Sequence, residues 1–139
     1  MCDMTEQQID ELVAAAASVR QRAHAPYSHF AVGAAGLVGG GRTHAGCNVE
    51  NASYGLAVCA ERNAVGAAVA AGAGEIVAVA VVTDVSPPAS PCGACRQVLA
   101  EFGHCPVILA NLQGERIVTS VADLLPNAFT SEALPADGE

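Results

Sequence analysis

The run Ile76–Thr83 constrains the fold more than any other segment of this sequence. Its letters are IVAVAVVT, so it is apolar up to its last residue and rich in β-branched side chains. A strand with apolar residues on both faces is typical of a sheet that helices cover on each side. The run therefore predicts a buried strand inside a layered fold.

Helical and strand patterns alternate along the rest of the chain. The helical patterns cover residues 5–22, 58–71, 92–102 and 120–125, and the other strand patterns cover residues 30–38, 43–49, 107–110 and 116–119. The order α-β-β-α-β-α-β-β-α predicts an α/β fold, a three-layer α/β/α sandwich around a mixed five-stranded sheet. We expect one domain over residues 1–139, because a chain of this length supports one core, with residues 130–139 as a frayed tail.

Residues 64–82 are almost uncharged and about as long as a membrane span. Glu75, between Gly74 and Ile76, interrupts the stretch, and Gly72 and Gly74 precede it. This is the pattern of a helix end, a turn and a buried strand. Residues 1–12 carry acidic side chains and show neither the basic region nor the apolar region of a signal peptide. We therefore predict a cytoplasmic protein without a membrane segment.

Charge and composition narrow the possible partners. The chain has 14 acidic and 6 basic residues and a net charge of −8, whereas binding to a nucleic-acid backbone needs clustered lysine and arginine. Apolar residues make up 52% of the sequence, more than one small core can bury, and a subunit interface is the expected place for the surplus. We expect a homo-oligomer that does not bind polynucleotides, with a core of small, closely packed side chains.

Six cysteines need an explanation: Cys2, Cys47, Cys59, Cys92, Cys95 and Cys105. In a reducing cytosol we expect thiols rather than disulfides. The local sequence predicts that Cys47 and Cys105 are small apolar residues in strands and that Cys2 is a terminal thiol. Cys92 and Cys95 form a C-x-x-C pair at a predicted helix start, which by itself fits either a redox dithiol or part of a zinc site.

A third cysteine favours the zinc interpretation. Cys59 also lies at a predicted helix start, so two turns of the fold would direct three thiolates at one point. Three protein ligands leave the fourth zinc position open, which is typical of a catalytic site. Glu61, two residues after Cys59, is near enough to move a proton without binding the metal. The histidines lie outside both motifs and are not expected to be ligands: His24, His29, His44 and His104.

The segments CAE at 59–61 and PCGAC at 91–95 resemble the signature of zinc-dependent nucleoside deaminases. Other segments are similar to the small, homotetrameric cytidine deaminases and follow the family's order: APYSHF at 25–30, VGAA at 32–35, GCNVENASY at 46–54, RQVL at 96–99 and LLPNAF at 124–129. The resemblance spans residues 25–129. It implies the cytidine deaminase fold, one Zn²⁺ per chain and a homotetramer with composite active sites.

The resemblance also implies roles for single residues. Cys59, Cys92 and Cys95 would bind zinc. Glu61 would carry the proton, and Arg62 would donate to a thiolate and offset its charge. The implied substrate contacts are Asn48 and Glu50 at the ribose 3′-hydroxyl, Phe30 along the nucleoside, the backbone of Ala60 and Ser90 at the pyrimidine edge, and Tyr54 and Phe129 in a neighbouring subunit's site.

The implied reaction is the hydrolytic deamination of cytidine and 2′-deoxycytidine to uridine and 2′-deoxyuridine with release of ammonia, as in pyrimidine salvage. Glu61 would take a proton from water, pass it to N3 and then protonate the leaving ammonia. A deaminase of a cytosine-containing antibiotic such as blasticidin S shares the two cysteine motifs, although the segment 48–54 favours a ribose-binding enzyme. A non-catalytic zinc module or a dithiol redox protein is the alternative from another class, and neither needs Glu61 beside an open metal position.

Overall fold

A mixed five-stranded sheet forms the middle layer of the molecule, for which a computed structural model describes residues 4–135. The strands are β1 (Gly33–Val38), β2 (Thr43–Cys47), β3 (Ile76–Thr83), β4 (Pro106–Asn111) and β5 (Arg116–Ser120). Their spatial order is β2-β1-β3-β4-β5. Strands β3 and β4 are parallel, and the other neighbouring pairs are antiparallel.

Strand β3 lies at the centre of the sheet and has the bounds that the sequence predicts. Val79 faces one apolar core and Val82 faces the other. Because both faces of the strand are covered, it is apolar along nearly its whole length. Its one polar residue, Thr83, is at the C-terminal end and pairs with Asn111 of the parallel strand β4.

Helices cover both faces of the sheet, as the sandwich prediction requires. They are α1 (Glu6–Arg20), α2 (Ala60–Ala70), α3 (Gly93–Ala100) and the single turn α4 (Val121–Leu124). Helix α1 buries Leu12 and Ala16 against one face, and α2 and α3 contribute Ala64 and Leu99 to the core on the other. The predicted three-layer α/β/α fold is therefore confirmed. Within residues 4–135, every helix is too short or too polar to cross a lipid bilayer.

Two glycines let the helices approach the sheet very closely. A Cβ atom on Gly33 of β1 would lie 1.9 Å from the Ala16 carbonyl oxygen of α1, and one on Gly46 of β2 would lie 2.4 Å from the Ala64 nitrogen of α2. Neither position has room for a side chain. The Ala- and Gly-rich composition thus produces the close packing of small residues that we expected.

Strand β1 begins later than its apolar pattern. The pattern starts at residue 30, but the side chain of Asn48 accepts a hydrogen bond from the Val32 N–H and donates one to the Phe30 carbonyl, both at 2.8 Å. These bonds replace strand pairing, so β1 starts at Gly33.

Helix α2 also begins later than its pattern. Val58 exchanges two backbone hydrogen bonds of 2.9 Å with Val49, which holds it in an isolated β-bridge. The helix therefore starts at Ala60, with Cys59 as its N-cap residue.

The C-terminal segment is bonded to α3 at Phe129 and then forms one helical turn. Ser131–Ala133 form a turn of 3₁₀ helix where the sequence predicts a frayed tail. The side chain of Gln97 donates to the Phe129 carbonyl at 2.9 Å. Residues 136–139 and Cys2 lie outside the described residues, so for them the frayed tail and the terminal thiol stay predictions.

Candidate active site

Two helix N-termini meet at one end of the sheet and bring three thiols together. Cys59 is the N-cap of α2, Cys92 is the N-cap of α3, and Cys95 lies in the first turns of α3. The Sγ atom of Cys92 is 3.9 Å from that of Cys59 and 3.5 Å from that of Cys95, and all three Sγ atoms lie within 4.8 Å of one another. The described cysteines form no disulfides, so these groups are thiols.

The spacing of the three sulfur atoms fits a zinc ion. Zinc–sulfur bonds of about 2.3 Å in a tetrahedron separate neighbouring sulfurs by roughly 3.8 Å, close to the distances of 3.5 and 3.9 Å in this cluster. Thiolates are also the ligands that zinc sites in proteins commonly use. Among residues 4–135, this is the one group of three or more potential metal ligands, and it contains no histidine.

Two of the cysteines have environments that shift the thiol pKa in opposite directions. The backbone N–H of Cys95 lowers the pKa of the Cys92 thiol below its ordinary value, with smaller help from the side chains of Cys95 and Cys59. Burial raises the pKa of the Cys95 thiol, and the nearby charge of Glu61 raises it further. A buried thiol of this kind ionises when a cation binds beside it. The chemistry of the cluster therefore also fits a metal.

Glu61 is buried beside the thiols. It is the second residue of α2 and only 5% exposed. Burial raises the pKa of its carboxyl group, and its own backbone N–H, Cys95 and Arg62 oppose that shift more weakly. A carboxyl whose pKa is raised toward neutral pH can both accept and release a proton during a reaction.

Arg62 extends toward the same cluster. Its Nη2 atom is 3.9 Å from the Sγ atom of Cys59 and 3.4 Å from the Ala57 carbonyl oxygen. The contact with Cys59 is the main cause that raises the pKa of the guanidinium group. The structure thus places a positive charge next to the thiol cluster, where the sequence analysis expects it.

A cavity of about 190 Å³ opens beside the cluster. Four of the predicted substrate-binding residues line it: Phe30, Asn48, Ala60 and Ser90. Cys59, Cys92 and Glu61 line the same cavity. A small molecule in it would therefore meet both the thiol cluster and the buried carboxyl.

The cavity also contains residues that sequence reasoning missed. Val32, Val81, Thr83 and Ala89 line it. Thr83 could have been found, because it is a polar residue at the carboxyl end of an apolar parallel strand, the end at which ligands bind in α/β sheets. The others carry no signal in the sequence, since small apolar residues are common throughout this chain.

Asn48 and Glu50 both hold backbone segments in place. The amide of Asn48 fixes residues 30–32, as described above. The carboxylate of Glu50 accepts from the N–H groups of Tyr27 and Ser28 at 3.0 and 3.2 Å, and also from the Ser28 hydroxyl. That hydroxyl is the main cause that lowers the pKa of Glu50. Glu50 lines a second hollow of about 290 Å³ with Tyr27 and Tyr54, and not the cavity at the thiols.

The structure does not bring Tyr54 and Phe129 to the thiol cavity of their own chain. Tyr54 is 76% exposed and Phe129 is 63% exposed. The ring of Tyr54 packs edge-on against that of Tyr27, with centroids 5.8 Å apart. The prediction that both aromatics enter a neighbouring subunit's site therefore stays a prediction.

Comparison with known proteins gives one consistent picture. Residues 6–111 match the family described as the cytidine and deoxycytidylate deaminase zinc-binding region. The chain is 49% identical over 128 residues to a cytidine deaminase of Sporosarcina psychrophila, covering 91% of this chain and 94% of that protein. It is 50% identical over 125 residues to a cytidine deaminase of Halalkalibacterium halodurans, covering 87% and 93% of the two chains.

Solved structures give the same result. The fold is similar to the crystal structure of a cytidine deaminase from Burkholderia pseudomallei, with a TM-score of 0.84, 52% identity, and coverage of 91% of this chain and 100% of that one. The structure of a cytidine deaminase from Mycobacterium leprae gives a TM-score of 0.75 at 43% identity, with coverage of 90% and 100%.

Proposed function

Because the chain belongs to the cytidine and deoxycytidylate deaminase family, we propose that it hydrolyses cytidine and 2′-deoxycytidine to uridine and 2′-deoxyuridine and releases ammonia. One observation carries this proposal. A buried glutamate and two thiols of a three-thiol cluster line the same small cavity. A thiol cluster of a purely structural site would have no need for a buried carboxyl facing a cavity.

One zinc ion per chain would be held by Cys59, Cys92 and Cys95. When bound, zinc supplies the Lewis acidity that makes water a nucleophile at neutral pH. Three thiolates carry three negative charges against two on zinc, and the N-termini of α2 and α3 together with Arg62 offset that excess. We assign to Arg62 the task of holding positive charge at Cys59, on the basis of the 3.9 Å contact.

Glu61 moves the protons of the reaction. It accepts one from the attacking water as the oxygen bonds to C4, and it delivers this proton to N3 of the base. It then carries the second proton of the water to the departing amine, so that the C4–N4 bond breaks and ammonia leaves. A raised pKa suits a group that must act as a base and then as an acid.

The nucleoside would lie between Phe30 and the backbone of Ala60 and Ser90, all of which line the cavity. Asn48 has one unused hydrogen-bond donor and Glu50 has one unused acceptor position, and both would be available to the ribose. Of the two N–H groups of the Asn48 amide, one is used by the Phe30 carbonyl. A carboxylate accepts about four hydrogen bonds, and the Glu50 carboxylate accepts three within the chain. Both side chains can therefore bind a sugar hydroxyl without giving up their bonds to the protein.

We propose that the protein is a cytoplasmic homotetramer. In it, Tyr54 and Phe129 of each subunit complete the active site of a neighbouring subunit. Both aromatics are exposed in the single chain. The cavity at the thiols is small for a whole nucleoside, and an aromatic from a second copy would close it. The partner in the reaction is a free nucleoside, because a net charge of −8 disfavours contact with a polynucleotide.

The test is an ultraviolet assay on the purified zinc-loaded protein. Cytidine, 2′-deoxycytidine, free cytosine and blasticidin S are compared at equal concentration, and ammonia is measured in parallel. We expect turnover of both nucleosides and far slower turnover of the other two. Preferred turnover of blasticidin S would favour the antibiotic deaminase, and no turnover of any of the four would favour a non-catalytic zinc module.

A further inference from the structure

One wall of the cavity is a loop that side chains from other elements hold in place. We call residues 84–91, between β3 and α3, the wall loop. Ala89 and Ser90 of this loop line the cavity, and Cys92 follows it directly. Three of the six residues from 86 to 91 are prolines, which have no N–H group to donate. The position of the loop therefore depends strongly on hydrogen bonds made by side chains.

Asn111 is the centre of these bonds. It ends β4, pairs with Thr83 at the end of β3, and is 6% exposed. Its Nδ2 atom donates to the Val85 carbonyl of the wall loop at 3.0 Å and to Oε1 of Glu115 at 2.7 Å. Its Oδ1 atom accepts from the N–H groups of Gln113 and Glu115, both at 3.0 Å. An asparagine amide has two donors and two acceptor positions, and here all four are used.

The turn that follows Asn111 holds the loop at two more points. The Ser86 hydroxyl donates to the same Oε1 atom of Glu115 that Asn111 binds. The side chain of Gln113 donates to the Asp84 carboxylate at 2.8 Å. One buried amide thus connects the β4–β5 turn to the start of the wall loop.

We propose that Asn111 is a positioning residue for the pyrimidine base: its amide fixes the wall loop so that Ala89 and Ser90 face the substrate. The proposal rests on the proposed deaminase function and adds a residue outside the cavity to it, since Asn111 does not line the cavity. Contacts between the loop and the base would be present in the bound substrate as well as in the transition state. Loss of such uniform binding raises KM and leaves kcat nearly unchanged.

The decisive variant is Asn111→Asp. Aspartate keeps the two acceptor positions toward the β4–β5 turn, but it replaces the N–H donors with an oxygen that faces the Val85 carbonyl and the Glu115 carboxylate. We expect the KM for cytidine to rise roughly 10- to 100-fold, the effect of losing one or two hydrogen bonds between the loop and the base, with kcat within about threefold of the parent protein. A merely structural role would lower the active fraction, and thus the apparent kcat, without a change in KM.

Surface variants in the same turn keep the proposal testable if Asn111→Asp folds poorly. Glu115 is exposed, so Glu115→Ala is expected to fold, yet it removes the acceptor of Ser86 and Asn111 and should raise KM severalfold. Glu115→Gln keeps an oxygen that can accept both bonds and should restore KM to near the parent value. Gln7→Ala removes an exposed side-chain hydrogen bond to Glu11 within α1, outside the loop and the turn, and serves as the control with unchanged kinetics.

Hydrogen exchange of the peptide spanning residues 84–92 provides a readout that does not depend on activity. In the Asn111→Asp variant, the amide hydrogens of this peptide should exchange about tenfold faster than in the parent protein, while the exchange rates of the α2 peptides stay unchanged. An unchanged KM together with unchanged exchange in the peptide would overturn the role of Asn111. If the parent protein does not deaminate cytidine, the proposed function fails, and the exchange data alone then decide whether Asn111 holds the loop.

Discussion

Two glutamates near the cavity are tuned in opposite directions by their surroundings. Burial raises the pKa of Glu61, whereas the hydrogen bond from the Ser28 hydroxyl lowers the pKa of the half-buried Glu50. Glu50 therefore stays ionised and can only accept hydrogen bonds, while Glu61 can carry a proton. Carboxyl groups whose pKa values are pushed apart in this way mark an acid–base residue and a binding residue.

The first prediction at this scale concerns Glu61→Gln. The amide has nearly the size of the carboxyl group but cannot carry a proton, so we expect bound zinc and the folded structure to be retained. We expect kcat to fall by at least the upper part of the roughly 10²- to 10⁴-fold that acid–base catalysis supplies. Steady-state kinetics and metal analysis of the same preparation measure both quantities. Activity within tenfold of the parent protein would show that Glu61 is not the proton carrier.

The second prediction concerns Cys92→Ala, with Cys47→Ala as its matched control. Cys92 lies within 3.9 Å of both other thiols, whereas Cys47 lies at the end of β2 and is not part of the cluster. We expect Cys92→Ala to lose zinc and activity together and Cys47→Ala to keep both. Metal analysis after gel filtration, paired with the cytidine assay, separates the two variants. One zinc per chain and normal turnover in Cys92→Ala would contradict the three-thiol site.

At the scale of elements, the contact between α2 and β2 controls the position of the site, because α2 carries both Cys59 and Glu61. A methyl group at Gly46 would lie 2.4 Å from the backbone nitrogen of Ala64, and a backbone atom cannot rotate away. We expect Gly46→Ala to lower the free energy of unfolding by roughly 1–3 kcal/mol, the usual cost of overpacking. It should also weaken zinc binding, since α2 must shift.

Gly66→Ala provides the control within the same helix. The space around Gly66 is open, and alanine in a helix interior is favoured over glycine by about 0.5–1 kcal/mol. Urea unfolding should therefore show opposite signs for the two Gly→Ala changes. Equal stability of Gly46→Ala and the parent protein would mean that α2 does not press against β2 as described.

The sequence predicts correctly the elements whose structure follows from their own pattern of apolar residues. The run Ile76–Thr83 has the same bounds in the sequence pattern and in the fold, because its apolar character reflects burial on both faces. The start of β1 was predicted too early, because the competing partner of residues 30–32 is Asn48, which lies far along the chain. Long-range bonds made by side chains leave no periodic signal.

The same reason limits what the sequence shows of the site. The three thiols and Glu61 belong to two compact motifs, and the fold brings those motifs together. Three of the hydrogen bonds of the Asn111 side chain stay within the β4–β5 turn, and the fourth reaches Val85, 26 residues earlier in the chain. No rule of sequence spacing indicates that Asn111 and Val85 are paired. Likewise, nothing in the segment 48–54 indicates that Glu50 would bind the N–H groups of Tyr27 and Ser28.

At the scale of the whole molecule, the single chain leaves many large apolar side chains exposed. They include Tyr27, Phe30, Val49, Tyr54, Leu56, Val118 and Phe129. Phe30 lines the cavity at the thiol cluster, and Tyr27 and Tyr54 line the hollow that contains Glu50. The surplus of apolar residues in the composition therefore lies partly at the site itself, which links assembly to catalysis in our proposal.

The final prediction tests that link through Phe129. The segment with Phe129 is fixed to α3 by two bonds, from Arg96 to the Leu124 carbonyl at 2.8 Å and from Gln97 to the Phe129 carbonyl at 2.9 Å. Its ring is 63% exposed and free to enter a second copy. If it does, Phe129→Ala should raise the KM for cytidine, and analytical ultracentrifugation should show a weaker tetramer.

Mixing two variants makes the test specific for a shared site. Phe129→Ala chains keep Glu61, and Glu61→Gln chains keep Phe129, so a mixed tetramer contains sites that draw one intact residue from each chain. With random pairing, about a quarter of the sites would regain both groups, because each of two subunits must be of the right kind with a chance of one half. We expect activity at low cytidine concentration to rise above the sum of the separate proteins after subunit exchange. Simple additivity in a confirmed mixed tetramer, or full activity of a monomer at assay concentration, would show that each chain completes its own site.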